Sequence, residues 1–109
     1  MIKVNVLSDS EGNYRSIELK GHSGYDEYGK DIICAAVSSL TLNMANSIEE
    51  FTNDGFDGSS EEETGHFKFK FTGNVSPESK LLMDSLILGL KSIAETYGEK
   101  YIKIRFEEV

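Results

Sequence analysis

Cys34 is the only thiol in this chain of 109 residues, and His22 is one of two imidazoles. A thiol attacks carbonyl carbons as its thiolate, and an imidazole is the side chain best suited to take its proton near neutral pH. Together the two would make a thiolate–imidazolium pair, the activated nucleophile of cysteine-dependent acyl transfer. Taken singly they are plainer: a lone cysteine is most often a small buried hydrophobe, and a loop histidine is as often as not simply solvated. Position separates these readings. Asp31 fits as a helix N-cap, which puts Cys34 in the first turn, near backbone N–H groups without intrahelical partners. At 3.6 residues per turn, Cys34 lies about 90° from the centre of the apolar face, on a shoulder shared with Ser38, Thr41 and Ala45. First-turn amides on that shoulder are the expected donors to an oxyanion.

His22 lies between Gly21 and Gly24, in a stretch from 21 to 30 with three glycines and no periodicity, expected to be a mobile loop. A crossover from sheet to helix would bring strand end, loop and helix start together. Asp31 has two possible roles, orienting His22 as the third member of a triad or capping the helix. Capping is favoured, because it satisfies orphan amides, and a negative charge beside Cys34 opposes thiolate formation. His66, the second imidazole, precedes a Phe–Lys strand and reads as hairpin surface. Other chemistries fail on residue type. Gly21-His22-Ser23-Gly24-Tyr25 is not a nucleophile elbow, because its fifth residue is Tyr. One Cys and two separated His make a poor zinc set, and there is no phosphate-binding or dinucleotide fingerprint, so no cofactor or metal is expected.

The elements that must position these groups follow from periodicity. Ile2, Val4 and Val6 alternate with polar residues over a strand at 2–7, and Ile17 and Leu19 mark a hairpin partner at 14–20. The intervening segment, 8–13, is a turn; its likeness to a calcium loop fails on register. Ile33, Val37, Leu40, Met44, Ile48 and Phe51 form one helical face, ending near Thr52 to Gly55. Phe67, Phe69 and Phe71 alternate with Lys68, Lys70 and Thr72 in a strong strand. Its partner runs from Phe56 to Glu63 with a turn at Thr64-Gly65, which sets Glu61 across from Lys68. Ser76-Pro77-Glu78 caps a second helix, through Leu82, Leu86, Ile93 and Tyr97 to a stop at Gly98. Tyr101 to Glu107 closes as a strand with Ile102, Ile104 and Phe106 inward. The order β-β-α-β-β-α-β predicts an α+β fold, a two-layer sandwich of two helices on one mostly antiparallel sheet. The acidic stretch from Gly58 to Gly65 reads as a solvated edge.

Composition limits the rest. The length suits a single domain over 1–109, and one cysteine cannot make an internal bridge. Apolar runs such as Ile32–Val37 are far too short to span a membrane, and the opening residues read as a strand and not a signal peptide, so a cytoplasmic protein is expected. With 11 Lys and Arg against 19 Asp and Glu, the net charge is −8. That balance disfavours direct nucleic-acid binding and favours basic peptides or proteins. The three Phe of the Phe–Lys strand share one face and are assigned to the core, not to RNA stacking.

Gly21-His22-Ser23-Gly24-Tyr25, followed by Gly29-Lys30-Asp31-Ile32-Ile33-Cys34-Ala35-Ala36-Val37-Ser38, resembles the signature of the bacterial ribosomal-processing cysteine proteases, the Prp family. The likeness extends over essentially the whole chain. It implies a small cytoplasmic homodimer in which Cys34 is the nucleophile and His22 the general base, then the acid to the leaving amine. Gly21, Asp31 and Ser38 match further signature positions that would shape the site. It implies as partner a ribosomal protein precursor, large-subunit protein number twenty-seven, whose basic N-terminal extension is cut after an aromatic residue, with the loop closing over the substrate. The acidic hairpin falls in the part that varies within the family and is expected to say nothing of activity. Two rivals stand beside the protease: a non-catalytic ribosome-assembly or protein-binding module of the same fold, and a redox-sensing thiol protein, which would need intermolecular pairing.

Overall fold

A computed structural model of the chain describes residues 1–27 and 30–109. Its elements follow as β1 (Ile2–Ser8), β2 (Tyr14–Lys20), α1 (Ile32–Phe51), β3 (Phe56–Glu61), β4 (His66–Phe71), α2 (Pro77–Tyr97) and β5 (Ile102–Glu108). The strands make one sheet in the order β3-β4-β2-β1-β5. Among the described residues only the β1–β5 pairing is parallel; β2 runs antiparallel to β1 and β4, and β3 antiparallel to β4. One face carries the core: Val4, Val6, Ile17, Leu19, Phe69 and Phe71 from the strands cluster with Ile33, Val37, Met44, Met83, Leu86 and Leu90 from the helices. The α+β two-layer sandwich expected from the sequence is the observed architecture. Among the described residues no helix is long and apolar enough to cross a membrane.

Most element boundaries follow from local chemistry. Ser76 caps α2 by accepting from the Ser79 N–H, Pro77 opens the helix, and Gly98 ends it at φ 101°. The 8–13 segment is a turn in which Asp9 Oδ1 accepts from the N–H groups of Glu11 and Asn13. Four expectations are corrected. Thr41, assigned to the shoulder of α1, is 2% exposed. It can lie there because its hydroxyl donates to the carbonyls of Val37 and Ser38. Phe51, assigned to the inner face, is 74% exposed. It is the last residue of α1, where the periodicity persists but no core residue covers the ring. Phe106 is likewise 46% exposed. It lies at the rim of the core, tilted against Tyr14 with the Lys91 ammonium over its ring.

The fourth correction is the register of the β3–β4 hairpin. Glu61 pairs with His66, and Lys68 faces Ser59 on β3 and Glu18 on β2. The expected turn of two residues is in fact one of four, from Glu62 to Gly65, closed by the Gly65 N–H on the Glu62 carbonyl at 3.2 Å. Gly65 takes the positive φ, 67°, that such a loop needs at its end.

A polar contact joins the segment after α1 to the start of α2. Asp54 Oδ2 accepts from the Ser76 N–H at 2.9 Å and the Ser76 hydroxyl at 2.6 Å. These bonds, with one from Ser79, outweigh desolvation and hold the Asp54 carboxyl below the usual carboxylate range. A carboxylate whose folded value is lowered adds stability above its unfolded value, and loses it as pH falls through the folded one. Asp54→Ala is therefore expected to cost about 1–2 kcal/mol at neutral pH. The gap between parent and variant should close in urea melts repeated at progressively acidic pH. A gap independent of pH would show that the contact does not contribute as a charged group.

Candidate functional site

Gly21 ends β2 with φ 94°, and a Cβ there would stand 2.7 Å from the Met1 carbonyl oxygen. Only glycine fits this combination of backbone shape and close approach. The turn it permits carries His22 over the first turn of α1. There His22 Nδ1 lies 3.8 Å from Cys34 Sγ, and the Ser23 N–H donates to the same sulfur at 3.2 Å. On its other side, His22 Nε2 is 2.8 Å from the carbonyl oxygen of Glu63, in the β3–β4 turn. A carbonyl oxygen only accepts, so Nε2 carries a proton in this arrangement, and in the neutral ring Nδ1 is left as the acceptor facing the thiol. A separation of 3.8 Å is long for a committed proton transfer, and catalytic hydrogen bonds tighten when substrate binds.

Asp31 joins the helix start to the loop. Oδ1 accepts from the N–H groups of Ile33 and Cys34, both at 3.0 Å, and Oδ2 accepts from the Ser23 hydroxyl and from the Tyr25 N–H at 3.2 Å. The residue is 6% exposed. Burial disfavours its charge, but the hydrogen bonds from the Ser23 hydroxyl and from Cys34 win, and the carboxyl is held below its ordinary value. These contacts are those of a helix cap, the role favoured from the sequence. They also narrow an expectation, because two of the first-turn amides, those of Ile33 and Cys34, are committed to Asp31 and are not open to an oxyanion. The N–H that reaches the sulfur comes from the loop instead.

Cys34 is partly buried and packs against the core cluster. It opens onto a groove of 820 Å³ that also takes in Gly21, His22, Asp31 and Ser38. Ser38 lies exposed one turn beyond Cys34 on α1. All five residues singled out from the sequence therefore line one groove. Gly29, which opens the second segment of the motif, lies with Tyr28 outside the described residues. The groove has an apolar stretch with Leu19, Val37, Leu42 and Phe67, and an acidic one with Asp26, Glu61 and Glu62. Among the described residues no group of three His, Cys, Asp or Glu is arranged to hold a metal ion.

Three features of the site escape sequence reading. Tyr25 anchors the loop by edge contacts with Tyr97 and Tyr101, at ring-centroid distances of 5.8 and 5.4 Å. Its signal in the sequence is weak, because Tyr25 is one of two tyrosines, with Tyr28, in an otherwise small and polar loop. His66, set aside as hairpin surface, lines the groove and pairs with Glu18 Oε2 at 2.9 Å. The third, the Glu63 carbonyl, leaves no trace in residue type.

The chain matches the family model described as cysteine protease Prp over residues 1–103. It belongs to that family, and it is a cysteine protease. The ribosomal processing cysteine protease Prp of Staphylococcus aureus is 29% identical over 99 residues, covering 91% of this chain and 93% of the relative. The protein of the same name from Bacillus subtilis is 27% identical over 109 residues, covering 91% and 92%. The crystal structure of the S. aureus ribosomal processing protease Prp with a covalently linked product peptide superposes with a TM-score of 0.91 at 27% identity, covering 97% of this chain and 99% of that one.

The Asp31 contacts generate a prediction that does not depend on activity. Asp31→Ala should lose about 1–2 kcal/mol, the worth of an N-cap. It should also speed amide exchange at Ser23 and Tyr25 beyond what the lost global stability explains. Unchanged exchange in the loop would mean that Asp31 secures only the helix.

Proposed function

We propose that this cysteine protease is a cytoplasmic, homodimeric endopeptidase that removes the N-terminal extension from the precursor of large-subunit ribosomal protein number twenty-seven, before or during ribosome assembly. The observation that carries the reading is the Cys34 thiol facing His22 Nδ1 at 3.8 Å across a groove wide enough for a peptide. In this reading Cys34 Sγ attacks the scissile carbonyl carbon while its proton passes to Nδ1 of His22. Collapse of the tetrahedral intermediate breaks the C–N bond, and the imidazolium returns the proton to the leaving amine. A water molecule, deprotonated by His22, then cleaves the thioester and restores the thiol. The Ser23 N–H steadies the sulfur as charge builds on it. No cofactor enters these steps. Gly21, Asp31 and Ser38 shape the site: Gly21 by its turn, Asp31 by fixing Cys34 and the loop, and Ser38 by lining the groove beyond the sulfur.

The substrate assignment draws on charge and shape. Relatives from S. aureus and B. subtilis are ribosomal processing proteases. The acidic wall of Asp26, Glu61 and Glu62, in a chain of net charge −8, suits a basic precursor. The apolar stretch beside Cys34 suits an aromatic side chain before the cut. A ribosomal precursor would be met in the cytoplasm, which supports that part of the reading. Leu81 and Leu88, seven residues apart on α2 and 70% and 67% exposed, are apolar surface that a second copy would cover.

The test is mass spectrometry of the basic precursor peptide incubated with parent protein, Cys34→Ala and His22→Ala. A single cut after an aromatic residue, lost in both variants, is expected. Binding without cleavage by the parent would point to an assembly module instead. Glu61→Gln combined with Glu62→Gln should raise KM several-fold at low salt, with the difference shrinking at high salt as screening sets in. A KM indifferent to both changes would remove the acidic wall from substrate recognition.

A further inference from the structure

His66, which borders the groove, and Glu18, beside it on the sheet face that alternates away from the helices, form a titratable pair that the proposed chemistry does not use. His66, the first residue of β4, donates from Nε2 to Glu18 Oε2 on β2 at 2.9 Å, and both side chains are about one-third exposed (33% and 29%). The neighbouring charges are Lys20, whose ammonium is 3.9 Å from Glu18 Oε1, Lys68, which faces Glu18 across the β2–β4 pairing, and Glu61, which faces His66 across the hairpin. The pair sits at the base of the turn that reaches His22. Gly65 immediately precedes His66, and a Cβ on it would stand 2.2 Å from the Gly21 carbonyl oxygen and 3.3 Å from His22 Cε1. The turn is therefore in direct backbone contact with the segment carrying the imidazole. From the same turn, the Glu63 carbonyl accepts from His22 Nε2 at 2.8 Å.

We propose that Glu18 and His66 are positioning residues that clamp the β3–β4 turn to β2, so that the Glu63 carbonyl holds His22 with its proton on Nε2 and its Nδ1 directed at Cys34. A main-chain carbonyl thereby fills the orienting role that a carboxylate fills in a triad. The carboxylate nearest the site, Asp31, is occupied with the helix cap and the loop. This inference rests on the reading of His22 as the base for Cys34. Neither Glu18 nor His66 needs to touch substrate for the clamp to work; its effect passes through the turn.

The experiment combines peptide-cleavage kinetics with imidazole nitrogen NMR of the full chain carrying labelled histidine, the two rings being distinguished by a His66→Gln variant. In the parent, neutral His22 is expected as the Nε2–H tautomer alone. Glu18→Ala should give a mixture of tautomers and lower kcat about tenfold to a hundredfold, the cost of a misaligned reacting group. Glu18→Gln keeps an oxygen for His66 and should restore both the spectrum and kcat. Gly65→Ala displaces the turn from Gly21 without touching the pair and should reproduce the Glu18→Ala signature. A proton on Nδ1 in the parent would overturn the proposal. So would a parent-like spectrum and kcat in Glu18→Ala while His22→Ala is inactive, whatever Gly65→Ala does, and in that case the dyad would stand. Cleavage that survives in His22→Ala would instead overturn the underlying reading of the dyad, and the clamp with it.

Discussion

Asp31 stands where a helix start, a loop and a thiol meet, and its two oxygens divide the work. Oδ1 takes the Ile33 and Cys34 amides and so fixes the angle at which α1 begins, while Oδ2 takes the Ser23 hydroxyl and the Tyr25 amide and so fixes where the loop passes. Cys34 belongs to the first segment and the N–H that donates to its sulfur belongs to the second. The distance between them is set by one buried carboxylate. That arrangement has a chemical cost. A helix N-terminus ordinarily offers its amides to a thiolate, but here the cap takes those of Ile33 and Cys34, and an anion is brought close to the sulfur. The loop amide is what the site has in exchange, which makes the loop part of the thiol's environment and not merely a cover over it.

A second constraint comes from three backbones packed without side chains between them. Gly21 lies against Met1 on one side and Gly65 on the other, at separations that exclude a Cβ at either glycine. The start of β1, the end of β2 and the turn before β4 are thereby locked into one junction, and His22 projects from its middle. Tyr25, resting on Tyr97 and Tyr101, fastens the far side of the same loop to the end of α2 and the start of β5. The imidazole is thus supported from the hairpin side and the thiol from the helix side, by parts of the fold that meet only at the groove.

Side-chain periodicity and capping chemistry were enough to place every helix and strand. They work because each element buries one face and each helix carries its own start and stop signals. What they could not give is the point at which a face runs out. Phe51 and Phe106 have the right phase and lie past the cover, which depends on how far each element overhangs the next. Thr41 has the wrong polarity for the core and is buried because a helix supplies carbonyls for its hydroxyl. At the site, Cys34, His22, Gly21, Asp31 and Ser38 were legible as residue types in a recognisable spacing. The distances among them were not, since they depend on a loop whose path is set by Asp31 and Tyr25.

The β3–β4 turn shows why one part of the site is invisible in sequence. Its contribution at His22 is a carbonyl oxygen, which every residue type possesses, so the identity of the residue at 63 is free as far as that contact is concerned. The requirement falls elsewhere, on the register of the hairpin and on Gly65. A turn of two residues, the expectation from the sequence, would set Glu61 against Lys68 and carry the carbonyl out of reach. A turn of four sets Glu61 against His66 and brings Gly65 onto Gly21. Register in a hairpin is fixed by turn length and by the pairing of its faces. Here the three Phe of β4 must stay on the core side, so any slip has to be by an even number of residues. The slip of two that separates expectation from structure leaves the hydrophobic pattern intact, and pattern alone therefore cannot choose between them. The choice is made by the backbone contact at Gly65, the same contact that brings the turn to the imidazole.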